Sequence, residues 1–334
     1  DVTAEEMFSQ WEFAKKSTNQ FEGCKMVKVY TSGTFFEDRE NPPEWQETVL
    51  RETYALGLHL VIEAQAQMCT PEKIKWVSER HPGCTVAIGL EAYDDRVLRF
   101  HVNKGFTTKQ WHKAIEMLRE NNLRVKTYLI FKPPFMSEGD ALTHTTDWLL
   151  AVAPYSDEVS VNPMNIQKRT VVDRIFRNRE YRPPWLWSLV EMIKRSSDKL
   201  EKLDCRVIVH PTAGGKIRGS HNCGKCDSDV VSAIERYFDK AITNEAFWNA
   251  GGKLLVKKLR DDFAAQSFKI TPREQTAIRR ISGLGFGDKA IAGTIREAKF
   301  TSSATPIIDL VNAALIRADK KTSPSEHRDG GYYR

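Results

Sequence analysis

"HLVIEAQAQMCTPEKIKWVSERHPGCTVAIGLE", residues 59–91, decides how this chain folds. It opens on "HLVIEA" (59–64), a short run of apolar and β-branched residues of the kind that fills a buried strand. "PEKIKWVSER" follows as a helix with Pro71 in its first turn, where a missing N–H breaks no hydrogen bond. "CTVAIGLE" (84–91) is then a second buried strand. Two strands joined through a helix run parallel, and their sheet is open or closed into a barrel.

The same alternation extends outward in both directions. Upstream lie the strand "MVKVYT" (26–31) and the helix "PEWQETVLRETYAL", opened by Pro43. Downstream the helix "TKQWHKAIEMLREN" precedes the strand "RVKTYLIF" (124–131), and "EGDALTHTTDWLLAV" precedes "DEVSVN" (157–162). A helix through "PWLWSLVEMIKRSSDKLEK" leads to a sixth strand, "CRVIVH" (205–210). The expected fold is therefore α/β with a parallel sheet. From about Asp227 the alternation gives way to helical patterns, with Ser228, Thr271, Asp288 and Ser303 as N-caps. The expected organisation is an α/β core over 1–235, a small C-terminal helical appendage over 236–320 and a polar tail over 321–334.

Composition narrows the class. With 334 residues, 41% hydrophobic and 28% charged, the chain can bury a sizeable core. No run of about 18 apolar residues is present, so no membrane partner is expected. "DVTAEEMFSQWEF" lacks the layout of a secretion signal, and six cysteines in a chain of this size do not make a disulfide framework. A cytoplasmic setting is expected, where paired cysteines serve metal or redox chemistry. The net charge of +6 suits a nucleic-acid partner.

In parallel α/β folds the loops after the strand ends carry function. Here these loops read "SGTFFEDREN", "EAQAQ", "EAYDD", "KPPF", "NPMNIQKRT" and "PTAGGKIRGSHNCGKCD". Ser32, Gly33 and Thr34 form a turn whose glycine leaves backbone groups open to a ligand, as an ordinary loop turn also does. Glu63 and Glu91 end apolar strands at equivalent positions, fit to bind hydroxyls or an ammonium, or to pair with Lys104 or Lys132. Lys132, Asn162 and Asn165 sit on the same rim. In "YRPPWLWS" (181–188), Arg182, Trp185 and Trp187 offer either a stacking surface for a base or a core-packed helix start. Finally, "GSHNCGKCDSDVV" (219–231) carries His221, Asn222, Cys223 and Cys226. Two thiols and a histidine could belong to a metal site, a redox pair or a tight corner, and a closed zinc site needs four ligands.

Taken together, these rim motifs resemble the radical S-adenosylmethionine (SAM) superfamily, in the branch that holds the Elongator catalytic subunit and coproporphyrinogen dehydrogenase. "TSGTFF" looks like the Gly-rich turn that holds the methionyl end of SAM, and "VIEAQ" like the strand ending in a SAM-contacting Glu. "AIGLEAYDDRVLRFHVNKGF" is similar to the segment in which Glu91 would touch the ribose and Lys104 the carboxylate. Seven motifs over about residues 26–230 resemble, in order, the radical-SAM component of archaeosine synthase (RaSEA). The resemblance implies a partial (β/α) TIM-type barrel with SAM and a four-iron four-sulfur cluster. Ser32, Gly33, Thr34, Glu63, Glu91 and Lys104 would hold SAM. Lys132, Asn162, Asn165, Arg182, Trp185, His221 and Asn222 would face substrate. The implied reaction is C–N cleavage, by a 5′-deoxyadenosyl radical, of a lysine adduct on a 7-deazaguanine base in the tRNA D-loop. Its partners would be tRNA and a transglycosylase-like lysine transferase subunit.

The family's Cys-x-x-x-Cys-x-x-Cys loop is not found between residues 1 and 334, so cluster ligands are expected upstream of residue 1. Cys223 and Cys226 follow the last strand and are a poor substitute for that loop; they stand as candidate ligands of a separate metal. The rival expectations are a non-catalytic tRNA-binding or scaffolding barrel and a radical SAM enzyme of another modified base.

Overall fold

The computed structural model describes residues 3–30, 33–222, 224–225 and 227–239. The elements run α1 (Ala4–Ser17), β1 (Met26–Val29), α2 (Pro43–Ala55), β2 (His59–Ala64), α3 (Pro71–Arg80), β3 (Thr85–Glu91), α4 (Asp95–Val97), α5 (Thr108–Glu120), β4 (Arg124–Phe131), α6 (Glu138–Val152), β5 (Glu158–Pro163), α7 (Val171–Arg177), α8 (Leu186–Leu200), β6 (Arg206–Val209) and α9 (Asp227–Asp239). The six strands form one sheet in the order β1-β2-β3-β4-β5-β6. Pairs β1–β2, β2–β3 and β3–β4 are parallel, with Val61 opposite Thr85 and Ala87 opposite Lys126. Sequential order with a helix in each crossover is the α/β winding expected of a partial barrel.

By packing, the described chain falls into two compact units. The first takes residues up to Leu129 with 152–159 and 204–206. Its core is built by β2 and β3, where Leu60, Ile62, Val86, Ile88 and Leu90 are fully buried, under helices α2, α3 and α5. Helix α5 shows why: Trp111, Ala114, Ile115 and Leu118 recur at helical spacing and are all buried, while the lysines between them face water. Each large apolar side chain so buried contributes about 1.5–3 kcal/mol. A capping box, Thr107 with Gln110, starts this helix.

The second unit takes 130–151, 160–203 and the described residues from Val207 to Asp239. Phe131, Trp185, Leu186, Leu189 and Met192 are buried in it. A smaller cluster of Ile166, Val172, Ile175 and Tyr181 seats α7, with Phe135, Met164 and Phe176 packed around it.

Several expectations shift. Strand β1 stops at Val29 and β6 starts at Arg206. Helix α9 begins at Asp227, so Ser228 lies within its first turn rather than at the cap. Asp227 Oδ1 instead accepts from the backbone N–H groups of Asn222 and Gly224. Helix α7 falls where a rim loop was expected. Its signal is Thr170, whose hydroxyl accepts from the Asp173 N–H in an ordinary N-cap. The helical appendage over 236–320, apart from the end of α9, and the tail over 321–334 lie outside the described residues, as do the caps expected at Thr271, Asp288 and Ser303.

Candidate functional site

Alternation along a strand sends every second side chain to the same face. On β2 and β3 the even positions are buried under the helices, and the odd ones form the opposite face. In the first unit that face carries Lys28, Tyr30, Glu63, Ala87, Gly89, Glu91, Lys126, Tyr128 and Glu158. Register aligns Glu63 with Ala87 and Ala87 with Lys126. Ala87, small and fully buried, places only a methyl group between the two charged groups. Lys126 Nζ pairs with Glu158 Oε1 at 2.8 Å, and Arg206 Nη1 reaches Glu158 Oε2 at 3.4 Å. One layer on, Gly89 lies opposite Tyr128, whose hydroxyl donates to the Tyr30 hydroxyl at 3.0 Å. Burial pushes the Tyr128 phenol far above its ordinary pKa, and the Tyr30 contact adds to the shift. The phenol is therefore neutral across the working pH range.

Glu63 is the unusual group here. Burial raises its carboxyl pKa, with Lys126 and Lys104 opposing the rise and Glu91 adding to it. Among the described residues, no hydrogen bond or ion pair reaches its side chain. Partial burial without a protein partner penalises the charged form of a carboxylate, and a cationic ligand would offset that penalty. The backbone around it is tightly held: Phe35 N–H donates to Glu63 C=O at 2.8 Å. Thr34 Oγ1 accepts from the N–H groups of Gln65 and Phe36, and Thr34 C=O accepts from Asn41 Nδ2 at 2.8 Å. The Gly33–Thr34 turn is thereby fastened to the end of β2. A Cβ on Gly33 would overlap the Glu40 carboxylate. Ser32 lies outside the described residues.

Glu91 pairs with Lys104 at 3.0 Å, with both side chains about four-fifths buried. It sits at φ +71°, just past a register shift between Gly89 and Glu91. A left-handed Glu costs of order 1–3 kcal/mol, and a bulge re-aims the side chain that follows it. Asn103, also left-handed, turns the chain so that Lys104 faces Glu91, with the Lys104 N–H bonded to Leu98 C=O. Gly89 keeps the approach clear: a Cβ there would stand 2.5 Å from Glu91 Oε1 and 3.2 Å from Lys104 Nζ. Of the two pairings open to Glu91, the structure realises the one with Lys104.

The second unit holds the remaining rim residues. Lys132, left-handed at φ +61°, pairs with the fully buried Glu138 at 2.8 Å and donates to Arg182 C=O. Glu138 Oε1 also accepts the Trp185 N–H, and the Tyr181 hydroxyl donates to Lys132 C=O. The Arg182 guanidinium lies 3.5 Å from the Trp185 ring centroid and donates to His221 C=O at 2.7 Å. Asn222 Oδ1 accepts the Trp187 N–H. Five of the seven rim residues thus meet in one network that ties 181–187 to the 219–222 corner. Trp185 and Trp187 are buried and pack into the core, so base stacking is open to neither ring in this arrangement. Asn162 is bonded to Ser160, and Asn165 is half-buried. Cys223 and Cys226 lie outside the described residues. Among the described residues no group of three or more His, Cys, Asp or Glu could hold a metal, and no helix is long and apolar enough to cross a membrane.

Residues 17–149 match the radical SAM superfamily. Two curated relatives carry the name archaeosine synthase subunit beta. The chain is 34% identical to the one from Thermococcus kodakarensis over 67% of its own length and 71% of the relative's. It is 31% identical to the one from Methanosarcina acetivorans, covering 70% and 68%. The chain belongs to the archaeosine synthase subunit beta family of radical SAM proteins. A solved structure of the archaeal Methanocaldococcus infernus Elp3 with an N-terminal deletion shares the fold, at TM-score 0.52 and 15% identity. The match covers 71% of this chain and 60% of that one.

As a radical SAM protein, this archaeosine synthase beta-family chain takes SAM and a four-iron four-sulfur cluster as cofactors. The first unit fits SAM: Glu63 is a half-buried carboxylate with no partner among the described residues, Glu91 and Lys104 present both signs of charge, and Gly89 leaves room before them. The described residues do not fit the cluster, since no three thiols converge, and Cys69 and Cys84 are buried singly.

Tyr30, Tyr128 and the Lys126–Glu158 pair lie outside the rim motifs. Their signal was the two-residue spacing of Lys126 and Tyr128 in "RVKTYLIF", which puts both on the face that Glu63 occupies.

Proposed function

We propose that this chain is a radical SAM tRNA-modifying lyase. It would cleave the C–N bond of a lysine adduct on a 7-deazaguanine base in the tRNA D-loop, leaving the formamidine of archaeosine. A transglycosylase-like transferase would supply the lysine adduct. The observation that carries the reading is Glu63, half-buried and with no protein partner among the described residues, on the face that also holds the Glu91–Lys104 pair, in a chain whose relatives are named archaeosine synthase subunit beta.

When bound, SAM supplies the 5′-deoxyadenosyl group that abstracts hydrogen. The chain's own residues bind and orient. Glu63 takes the SAM ammonium and so gains the partner it lacks. Glu91 accepts from the ribose hydroxyls, and Lys104 faces the carboxylate, each held in place beforehand by the other. Gly33 and Thr34 offer backbone groups to the methionyl end. The neutral Tyr128 and Tyr30 hydroxyls line the same face without adding charge. Arg182 and His221, half-exposed in the second unit, and Asn162 and Asn165 are the side chains open to substrate.

The test is anaerobic iron–sulfur reconstitution of the protein followed by assay on lysine-modified tRNA. The expected result is 5′-deoxyadenosine formed together with released lysine fragment and archaeosine. Absence of both products from protein that carries its cluster refutes the catalytic reading. 5′-Deoxyadenosine formed only with a different modified tRNA reassigns the base.

A further inference from the structure

Helix α7 and the segments on either side of it are not used by the cofactor face, yet together they hold most of the chain's charge imbalance. Residues 164–182 contain six basic residues against two acidic ones, which leaves +4 in a chain whose whole net charge is +6. Lys168, Arg169, Arg174, Arg177 and Arg179 are all exposed. Arg169, Thr170, Val171, Asp173, Arg174, Arg177 and Asn178 line an open groove of about 400 Å³.

The charge is mounted on a built scaffold. Asp173 is buried in the groove floor and takes Arg218 Nη2 at 2.5 Å, Arg177 Nη2 at 2.9 Å and the Arg169 backbone N–H at 2.9 Å. Arg218 in turn donates to Ile166 C=O, and its guanidinium covers the Phe176 ring. Asp173 therefore spends its single negative charge inside the knob, while the Arg169 and Arg174 side chains project from it without an ion pair among the described residues. Arginine clusters of this kind match phosphate oxygens in charge and fork geometry. A protein partner is the weaker fit, because protein interfaces centre on apolar side chains and Val171 is the one large aliphatic exposed between residues 167 and 179.

We propose that α7 and its leading turn form an RNA backbone-docking surface, with Arg169 and Arg174 as phosphate ligands held in place by the Asp173–Arg218 anchor. This rests on the reading of the substrate as a tRNA and adds where the chain grips it. The contact would be with phosphates, so it sets affinity and salt dependence rather than base choice.

The test is binding of a fluorescein-labelled tRNA transcript to the full chain across a salt series. The variants are Arg169→Ala/Arg174→Ala, a control of equal charge loss (Lys109→Ala/Lys113→Ala on α5) and the charge-preserving Arg169→Lys/Arg174→Lys. For Arg169→Ala/Arg174→Ala, affinity should fall about tenfold near physiological salt, and the salt slope should shrink by about 1.5. The α5 control should change affinity less than about twofold, and the lysine variant should keep the wild-type slope. Unchanged affinity and slope in the alanine variant, with wild type binding normally, overturns the surface while leaving the tRNA reading intact. Wild type that fails to bind tRNA even at about 50 mM salt overturns the tRNA reading and the surface with it. Loss of association with a protein subunit at unchanged tRNA affinity assigns the groove to protein and overturns the proposal. Thermal melting of each variant separates these results from misfolding, since every substituted side chain is exposed.

Discussion

At the scale of single residues, the two units use buried charge in opposite ways. Glu63 is half-buried with no partner among the described residues, and this burial holds its folded carboxyl pKa above the ordinary value. A raised carboxyl pKa favours the protonated folded state, so the group costs stability as pH rises past its unfolded pKa and above. Replacing it with the neutral isostere Glu63→Gln should give a thermal midpoint at neutral pH equal to or above wild type. SAM affinity by calorimetry should fall about tenfold to a hundredfold. Wild-type SAM affinity in that variant would remove Glu63 from the site. Lys132 and Glu138 are the contrary case, a buried pair in which each satisfies the other and the backbone around it. Glu138→Ala strands a buried ammonium and should cost about 3–5 kcal/mol in urea unfolding. Lys132→Met/Glu138→Leu, which removes both charges, should cost much less, and equal losses in the two variants would contradict the ion-pair account.

Among the elements, α7 shows how a short helix is secured by one carboxylate. Hydrogen bonding from Arg218, and then from the Arg169 backbone and Arg177, lowers the Asp173 pKa to about 2. For a depressed carboxyl, the stabilisation is fully present above the unfolded pKa near 4 and is lost as pH falls through the folded value. Wild type should therefore lose this contribution between about pH 4 and about pH 2, and Asp173→Asn should lack that limb of the stability–pH curve. Chemical denaturation at stepped pH reads it, and superimposable acid limbs would show that the anchor carries no stability. The helix is hard to read in the sequence because Thr170 closes the polar run 167–170 and Asp173 lies just beyond it. Their cap-to-N3 contact became visible only with the chain folded.

On the scale of the whole molecule, cofactor binding and fold stability are linked, because SAM binds only the folded chain. At a SAM concentration about 100 times Kd, the linkage adds about 2.7 kcal/mol. Hydrogen exchange should show where it acts. Protection is expected in β2, β3 and the 103–106 turn, which carry Glu63, Glu91 and Lys104, and exchange in α8 should stay unchanged. Protection confined to α8 would displace the site from the first unit.

Sequence by itself determined the winding of the α/β core. Parallel strands buried on both faces must be continuous apolar runs, and the helices between them carry their own caps and prolines, so type and order are local properties. It also determined that Glu63 and Glu91 stand at strand ends, since a strand's end is set by where the apolar run stops. Tertiary structure decided which charges meet. "IEA" and "GLE" read alike, yet Glu91 is turned by a bulge and a left-handed backbone onto Lys104, while Glu63 lies opposite Ala87 with no partner among the described residues. Lys126 and Glu158 are 32 positions apart and become a pair only through strand register. Trp185 was legible as either a stacking platform or a core residue, and burial under Arg182 settled it. Pairing energy depends on distance and burial, and neither exists until separate strands are brought side by side.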